Sequence, residues 1–447
     1  MIEFFQTHIP FWTASSSPDV IEIIGFFITQ ALGAVFLLCY AYQFFYLVVA
    51  LIRRPKVYPP SPFTKRYAVV IAARNEENVL PALLDSIRAQ TYPADLIDIL
   101  VVADNCTDGT AAVARAAGAF VVERFDKERV GKGYALCYLF ERLAAERGLD
   151  AYDAYFVFDA DNVLKSDYIE QMHNAYCAGN RVITSYRNSK NYGANWISAG
   201  YALWFMREAR HLNNARSLLG SSAVVAGTGF MIDREILIHN GGWKHFLLTE
   251  DIEFTADLIL QGERVGYCHA AEFFDEQPEG FGQSWRQRKR WAKGLFQVIL
   301  HYGAKLLARM FGRGKKGKGN RWSCFDMLVS MMPAFLLSVL QLFCIVALFL
   351  LHLIVERSVS KMLLSCFIEF WIFGYAIFFV VGVFALAAEW RRIRCGKVRA
   401  VLLLFTFPFF MLTYLPLSIS ALCTRVEWKP IRHKYAVSER EIGARKK

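Results

Sequence analysis

Residues 67–77 read YAVVIAARNEE, residues 97–110 read IDILVVADNCTDGT, and residues 154–161 read AYFVFDAD. Each is an apolar run that ends abruptly on polar or acidic residues. Tyr67–Ala72, Ile97–Val102 and Tyr155–Phe158 read as buried strands, with Phe120–Val122 as a shorter one. Val79–Ala89, Ala111–Ala117 and Ala135–Arg147 carry helical periodicity between them. Alternation of this kind predicts an α/β domain with a mostly parallel sheet covered by helices. Ligands on such sheets sit beyond the carboxyl ends of the strands, where the acidic residues fall here.

The domain is expected over residues 65–282, and the flanks differ from it. The chain of 447 residues is 55% hydrophobic and carries a net charge of +11. Ile23–Ile52 is an uncharged run long enough to span a bilayer. It is followed at once by Arg53, Arg54 and Lys56, which the positive-inside rule places on the cytoplasmic side. Residues 1–54 therefore read as an N-terminal segment with a membrane helix and no cleavable signal. Residues 283–320 read as a basic amphipathic helix on the membrane surface with a Gly/Lys loop. Residues 325–424 hold two further spans, Met327–Ile354 and Met362–Ala388, and a stretch, Ala400–Cys423, broken by Pro408 and Pro416. Residues 425–447 form a basic cytoplasmic tail. The positive charge lies beside the apolar runs, which favours a lipid bilayer and not nucleic acid as its partner. Ten scattered cysteines show no metal-ligand or CxxC spacing and read as packing residues of a reducing compartment. A secondary transporter would need more spans than these.

Several short motifs have both a plain and a chemical reading. Asp159-Ala160-Asp161 at a strand mouth is, alone, most often a solvated turn, but its carboxylates can hold a hard divalent cation. Thr249-Glu250-Asp251 begins a helical stretch, where acids complement the dipole; either acid can also serve as a general base. Gln287-Arg288-Lys289-Arg290-Trp291 can anchor to headgroups, or offer phosphate contacts and an aromatic face for a sugar ring. Glu76, Asp104 and Lys132 lie in strand-to-helix connections.

The order of these motifs decides between the readings. AARNEE (72–77), ADNCTDGT (103–110), GKGYAL (131–136), DAD (159–161), GTGF (227–230), TED (249–251) and QRKRW (287–291) together resemble the membrane-integrated family 2 glycosyltransferases, the group of cellulose, chitin-oligosaccharide, hyaluronan and poly-N-acetylglucosamine synthases. The resemblance implies a GT-A type, Rossmann-like domain on the cytoplasmic face of a multi-pass cell-membrane protein. It implies donor contacts from Glu76, Asp104, Lys132, Asp159, Gln287 and Arg290, with Mg²⁺ or Mn²⁺ on Asp161 and Asp159. It implies a catalytic base at Asp251 with Glu250 beside it, and acceptor contacts from Gly227, Thr228, Gly229 and Trp291. The implied reaction is inverting transfer of a glucose- or N-acetylglucosamine-type hexose from a UDP-sugar to a growing β-linked glycan; the alternative is a single transfer that makes a glycolipid. Few spans make a narrow channel, so export of a long glycan would call for a homodimer or another protein. The segment Glu427–Ile431 resembles a Trp- and basic-containing motif of some relatives and is expected near the pocket.

Three spans starting outside return the chain to the cytoplasm at Arg391, which leaves Ala400–Cys423 as a hairpin or surface element. A cysteine placed near Lys447 is therefore expected to be inert to an impermeant external reagent in intact cells, and labelling from outside would refute this topology.

Overall fold

The computed structural model describes residues 19–312, 321–331, 333–426 and 433–444. The described residues begin with a 33-residue helix, α1 (Val20–Ile52), capped by the Asp19 side chain, which accepts from the Glu22 N–H. The α/β domain then runs β1 (Tyr67–Ala73), α2 (Leu80–Arg88), β2 (Ile97–Asp104), α3 (Thr110–Ala116), β3 (Phe120–Arg124), α4 (Lys132–Glu146), β4 (Ala154–Asp159) and β5 (Val163–Leu164). It continues through α5 (Tyr168–Cys177), β6 (Val182–Ser189), α6 (Trp196–Arg207), a π turn, α7 (Asn214–Leu218), β7 (Phe230–Asp233), α8 (Arg234–Asn240), α9 (Glu250–Gln261) and β8 (Val265–Asp275). A 30-residue helix, α10 (Phe281–Met310), leads to α11 (Arg321–Met331), α12 (Pro333–Val355) and α13 (Lys361–Ala388). The chain closes with α14 (Lys397–Leu404), α15 (Phe407–Leu412), α16 (Tyr414–Cys423) and α17 (Glu439–Ala444).

The strands form one sheet in the order β3-β2-β1-β4-β7-β6-β8-β5. The half from β3 to β4 is parallel throughout, as expected from the alternating pattern; β7 runs antiparallel to both β4 and β6. Register does the positioning. Ala72 pairs with Asp159 and Ala73 with Ala103, so the acids that end β2 and β4 and the residues after β1 emerge along one edge. Tyr67–Ile71 and Ala154–Phe158 are fully buried, because helices cover both faces of the sheet.

Among the described residues, three helices are long and apolar enough to cross a membrane: α1, the Leu336–Val355 part of α12, and α13. The expected third apolar stretch forms α14 and the α15–α16 run, bent by 43°. One expected boundary is corrected. Met327 does not begin a span; Met327–Met331 ends α11, a separate helix packed on the α/β domain. The reason is Asp326, which accepts two hydrogen bonds from Arg216 (2.8 and 2.9 Å) and one each from Tyr46 (2.8 Å) and Tyr42 (3.0 Å). A carboxylate so committed cannot face hydrocarbon. The amphipathic helix also differs from a bare surface anchor. α10 buries Ser284, Arg288, Ala292, Gly294, Val298, Gly303 and Leu306 against α9, α11 and α16. All ten cysteines are free thiols.

Arg216 and Asp326 are nearly without exposure, and their pair ties α7, α11 and α1 together. Removing one partner of such a pair costs about 3–5 kcal/mol. Asp326→Ala is therefore expected to lower the thermal midpoint of the detergent-solubilised protein by many degrees, read by loss of the monodisperse peak after heating. An unchanged midpoint would contradict this role.

Candidate active site

The sheet edge and α10 enclose the residues the motifs predicted. A single cavity of about 1110 Å³ is lined by Glu76, Asp104, Lys132, Asp159, Asp161 and Gly227, and by Glu250, Asp251, Gln287, Arg290 and Trp291. Thr228 and Gly229 sit just behind it. The Thr228 hydroxyl accepts from the Asp159 N–H at 2.9 Å, and the Gly229 carbonyl accepts from Ser185. Gly227 and Gly229 have φ of +80° and +66°, a left-handed backbone that favours glycine. That turn aims the Gly227 carbonyl at Lys132 Nζ, 2.8 Å away, and leaves Gly227 beside the Asp251 carboxylate.

Charge is organised by pairing. Lys132 starts α4 and forms an ion pair with Asp159. Asp104 is buried against Arg124, whose Nη1 donates to it at 2.6 Å, so its carboxylate is largely committed. Asp161 is 3% exposed; it accepts from the Glu276 N–H (3.2 Å) and the Asn162 amide (3.3 Å). Asp275, beside it, is pushed up to about 6 by burial, opposed by Arg187 and reinforced by Asp161. His433, from beyond α16, stands between Glu76 and Asp161. Burial alone would lower its imidazole, but Asp161, Glu76 and Glu276 outweigh that and push it up to about 10. A pocket that draws positive charge this strongly, from oxygen donors, fits a hard divalent cation. Asp161 would hold it, since Asp159 is engaged by Lys132; bound there, the cation would neutralise a diphosphate.

The second carboxylate motif lies across the cavity. Glu250 and Asp251 open α9, with Thr249 as N-cap residue. Burial raises both. Asp251's charge adds to the effect on Glu250, which reaches about 7. Arg290 answers them: burial lowers its guanidinium, while Glu250, Asp159 and Asp251 pull it back. The close approach of α10 to this motif depends on Gly294, where a Cβ would come within 2.8 Å of the Thr249 backbone nitrogen. Trp291 packs edge-on against Tyr201 (5.7 Å) and Phe205 (6.1 Å) and presents its remaining surface to the cavity. Gln287 Oε1 and Thr249 Oγ1 are buried at the cavity wall without a hydrogen-bond partner. Buried polar atoms left open in this way suit a bound polar ligand.

Arg187, Asp275, Glu276 and His433 were not anticipated. A signal existed for two of them: FFDE (273–276) repeats the pattern of an apolar strand ending on acids seen in FVFDAD. Arg187 and His433 carry none, because their place depends on β6 and on the return of the tail. The segment Glu427–Ile431 lies outside the described residues.

The profile of the glycosyltransferase-like family 2 matches residues 64–294, more than half of the chain. The chain belongs to the family 2 glycosyltransferases. It is 28% identical over 276 residues to the probable glycosyltransferase YdaM of Bacillus subtilis, a match that covers 56% of this chain and 59% of that protein. It is 27% identical over 254 residues to the beta-monoglucosyldiacylglycerol synthase of Synechocystis, covering 56% and 51%. The chain thus spans between half and three-fifths of the length of these curated relatives. Among solved structures it resembles the mannosyltransferase PcManGT of Pyrobaculum calidifontis, in complex with GDP-Man and Mn²⁺. The TM-score is 0.55 at 17% identity, over 83% of this chain and 98% of that one. The fold is of GT-A type.

Sugar transfer that uses the Asp251 carboxylate as its base requires that group ionised. Because burial raises it, activity is expected to fall with decreasing pH before the ordinary aspartate range is reached. The pH dependence of kcat/KM checks this; an acidic limb with its midpoint near 4 would refute it.

Proposed function

We propose that this glycosyltransferase transfers a hexose from a UDP-sugar to a hydroxyl of a membrane lipid, at the cytoplasmic face of the cell membrane. The observation that carries the acceptor class is the reach of the cavity. From Asp251 and Trp291 it continues between α1 and α13, where Leu37, Phe44, Phe370, Phe373 and Phe378 form its wall. A wall of this kind suits acyl or isoprenoid chains, since burying apolar surface is favourable by about 25 cal/mol per Å². A growing glycan, studded with hydroxyls, gains little from it. The similarity to a glucosyldiacylglycerol synthase agrees with this choice between the two readings of the motifs.

The chemistry follows from the paired charges. The acceptor hydroxyl attacks the anomeric carbon of the donor as its proton passes to an Asp251 carboxylate oxygen. The new bond to carbon forms opposite the bond to the diphosphate oxygen, which breaks and releases UDP, so the centre inverts. Lys132 and Arg290 face the negative charge that gathers on the leaving diphosphate. A divalent cation held by Asp161 would add Lewis-acid stabilisation of the same charge. Glu250, kept largely protonated below neutrality, can donate a hydrogen bond within the site without adding a second negative charge.

Protein reconstituted in bilayer discs with diacylglycerol and labelled UDP-glucose or UDP-N-acetylglucosamine tests the reading. The expected product is organic-soluble and carries one sugar. Asp251→Asn is expected to lose about 10²–10⁴-fold in turnover with donor binding retained. A water-soluble product of many sugars, at low donor and excess lipid, would overturn the acceptor class. An Asp251→Asn variant with more than about a tenth of wild-type turnover would overturn the base.

A further inference from the structure

A second cavity, of about 870 Å³, opens where the α/β domain meets the ends of α1 and α13. Its apolar wall is Val383, Leu386 and Ala387, from the last turns of α13, with Pro55 just beyond α1. Both apolar helices give way to charge here: Arg53 and Arg54 follow Ile52, and Arg391 and Arg392 lie just past Ala388. For helices that cross a bilayer, this is the level of the lipid headgroups. Trp390 stands at the rim, 37% exposed, with Lys397 Nζ 4.6 Å from its ring centroid. Tryptophan is the side chain that this level favours. The volume is that of a ligand cleft, for which about 300–1,000 Å³ is usual.

The polar wall carries an excess of positive charge. Among the described residues, three guanidiniums line it, Arg210, Arg391 and Arg392, against one carboxylate, Glu389. That carboxylate is divided among several partners. It accepts from the Tyr186 hydroxyl at 2.9 Å, and lies 3.6 Å from Arg210 Nε and 3.5 Å from Arg392 Nε. Separations of 3.5 Å and more are ion pairs, not good hydrogen bonds, so Glu389 leaves both guanidiniums with donors to spare. Arg392 is held flat, its Cζ 3.9 Å from the Tyr186 ring centroid, and its Nη2 donates to the His269 carbonyl at 3.4 Å. Its Nη1 is buried without a hydrogen-bond partner among the described residues. His269 lines the same cavity, and burial, Arg392 and Arg210 push its imidazole down to about 2, so it stays neutral and brings no competing anion. A planar guanidinium with open donors is the side chain best suited to the oxygens of a phosphate.

We propose that this cavity binds the phosphate of an anionic phospholipid, with Arg210, Arg391 and Arg392 on the phosphate oxygens and the acyl chains running along Val383, Leu386 and Ala387. The arrangement of the walls favours a lipid over a free phosphate. Charge lies on the side of the α/β domain, and the apolar surface continues along α13, where a soluble anion would gain nothing from it. Basic pockets between membrane helices, at the headgroup level, take anionic lipids for this reason. The site is separate from the donor and acceptor cavity. The bound lipid bridges α13, β8 through His269 and the π turn through Arg210, and so holds the domain against the bilayer.

The test is native mass spectrometry of the full-length protein in detergent, titrated with dioctanoyl phosphatidylglycerol, dioctanoyl phosphatidylcholine or inorganic phosphate. One copy of phosphatidylglycerol is expected to be retained, and phosphatidylcholine more weakly, because its choline cation faces the arginines. Arg392→Gln is expected to weaken phosphatidylglycerol binding about tenfold or more, the usual worth of a hydrogen bond to a charged group. Ala387→Trp fills the cavity from an exposed position without touching a charge, and serves if the arginine variant is not monodisperse; it too is expected to lose the bound copy. Arg54→Gln removes an equal charge at the same level outside the cavity and is expected to change little. Retention equal to wild type in Arg392→Gln and Ala387→Trp would overturn the proposal. So would an equal loss in Arg54→Gln, which would mean a diffuse attraction of the basic rim. Displacement of phosphatidylglycerol by an equal concentration of inorganic phosphate would make the ligand a free phosphate and overturn the lipid.

Discussion

A guanidinium with no exposed surface, Arg288, is the interaction on which the geometry of the site depends. Its Nη1 donates to the Phe410 carbonyl (3.1 Å) and the Thr413 hydroxyl (2.7 Å), its Nε donates to Ser284 (3.1 Å), and its plane lies over the rings of Phe410 and Tyr414. A buried charge is tolerated only when it is paired or well hydrogen-bonded, so these partners have little freedom. Apart from Ser284 of α10 itself, they lie on α15 and at the start of α16, which explains why the last apolar stretch does not run straight. Its broken turn directs a carbonyl and a hydroxyl at Arg288. With α10 held on one side by these helices and on the other by α9, Arg290 and Trp291 are delivered to the cavity opposite the sheet edge.

The site is therefore assembled from three sources with different physical origins. Strand register brings Asp104, Asp159 and the loop after β1 to one edge. The α9 start brings Glu250 and Asp251, two carboxylates raised by burial, Glu250 also by the charge of Asp251. The helix α10 brings the cation Arg290 and the aromatic Trp291. Each source alone would leave an excess of one sign of charge in a poorly hydrated cavity. Once they are together, Arg290 answers part of the charge of Glu250 and Asp251, and Lys132 pairs with Asp159.

The continuity of this cavity with the space between α1 and α13 bears on what the enzyme handles. Leu417, Phe410 and Ala385 share one apolar core with residues of the sheet, so these C-terminal helices are not a tether but part of the domain's packing. The Asp326–Arg216 pair makes the same connection on the other side, through Tyr42 and Tyr46 of α1. The Asp251 carboxylate and the apolar groove between α1 and α13 are thus held in a fixed relation, which the proposed transfer to a lipid hydroxyl requires.

Periodicity and short motifs were enough, from the amino-acid order alone, to establish the alternating α/β domain, its parallel half-sheet, the long apolar helices and the motif residues. These features are local: strands, helices and the polar residues at their ends are written within a few residues of one another. The antiparallel insertion of β7, the separation of α11 from the span after it, and the clamping of α10 were decided only by tertiary structure. So were the contributions of Arg187, Asp275, Glu276 and His433. Asp326 illustrates why: in sequence it is one acid beside a hydrophobic run, and only the arrival of Arg216, 110 residues earlier in the chain, ties its helix to the α/β domain. His433 is the same case at greater range, 357 residues from Glu76, because a side chain's electrostatic surroundings belong to the fold and not to its neighbours in sequence.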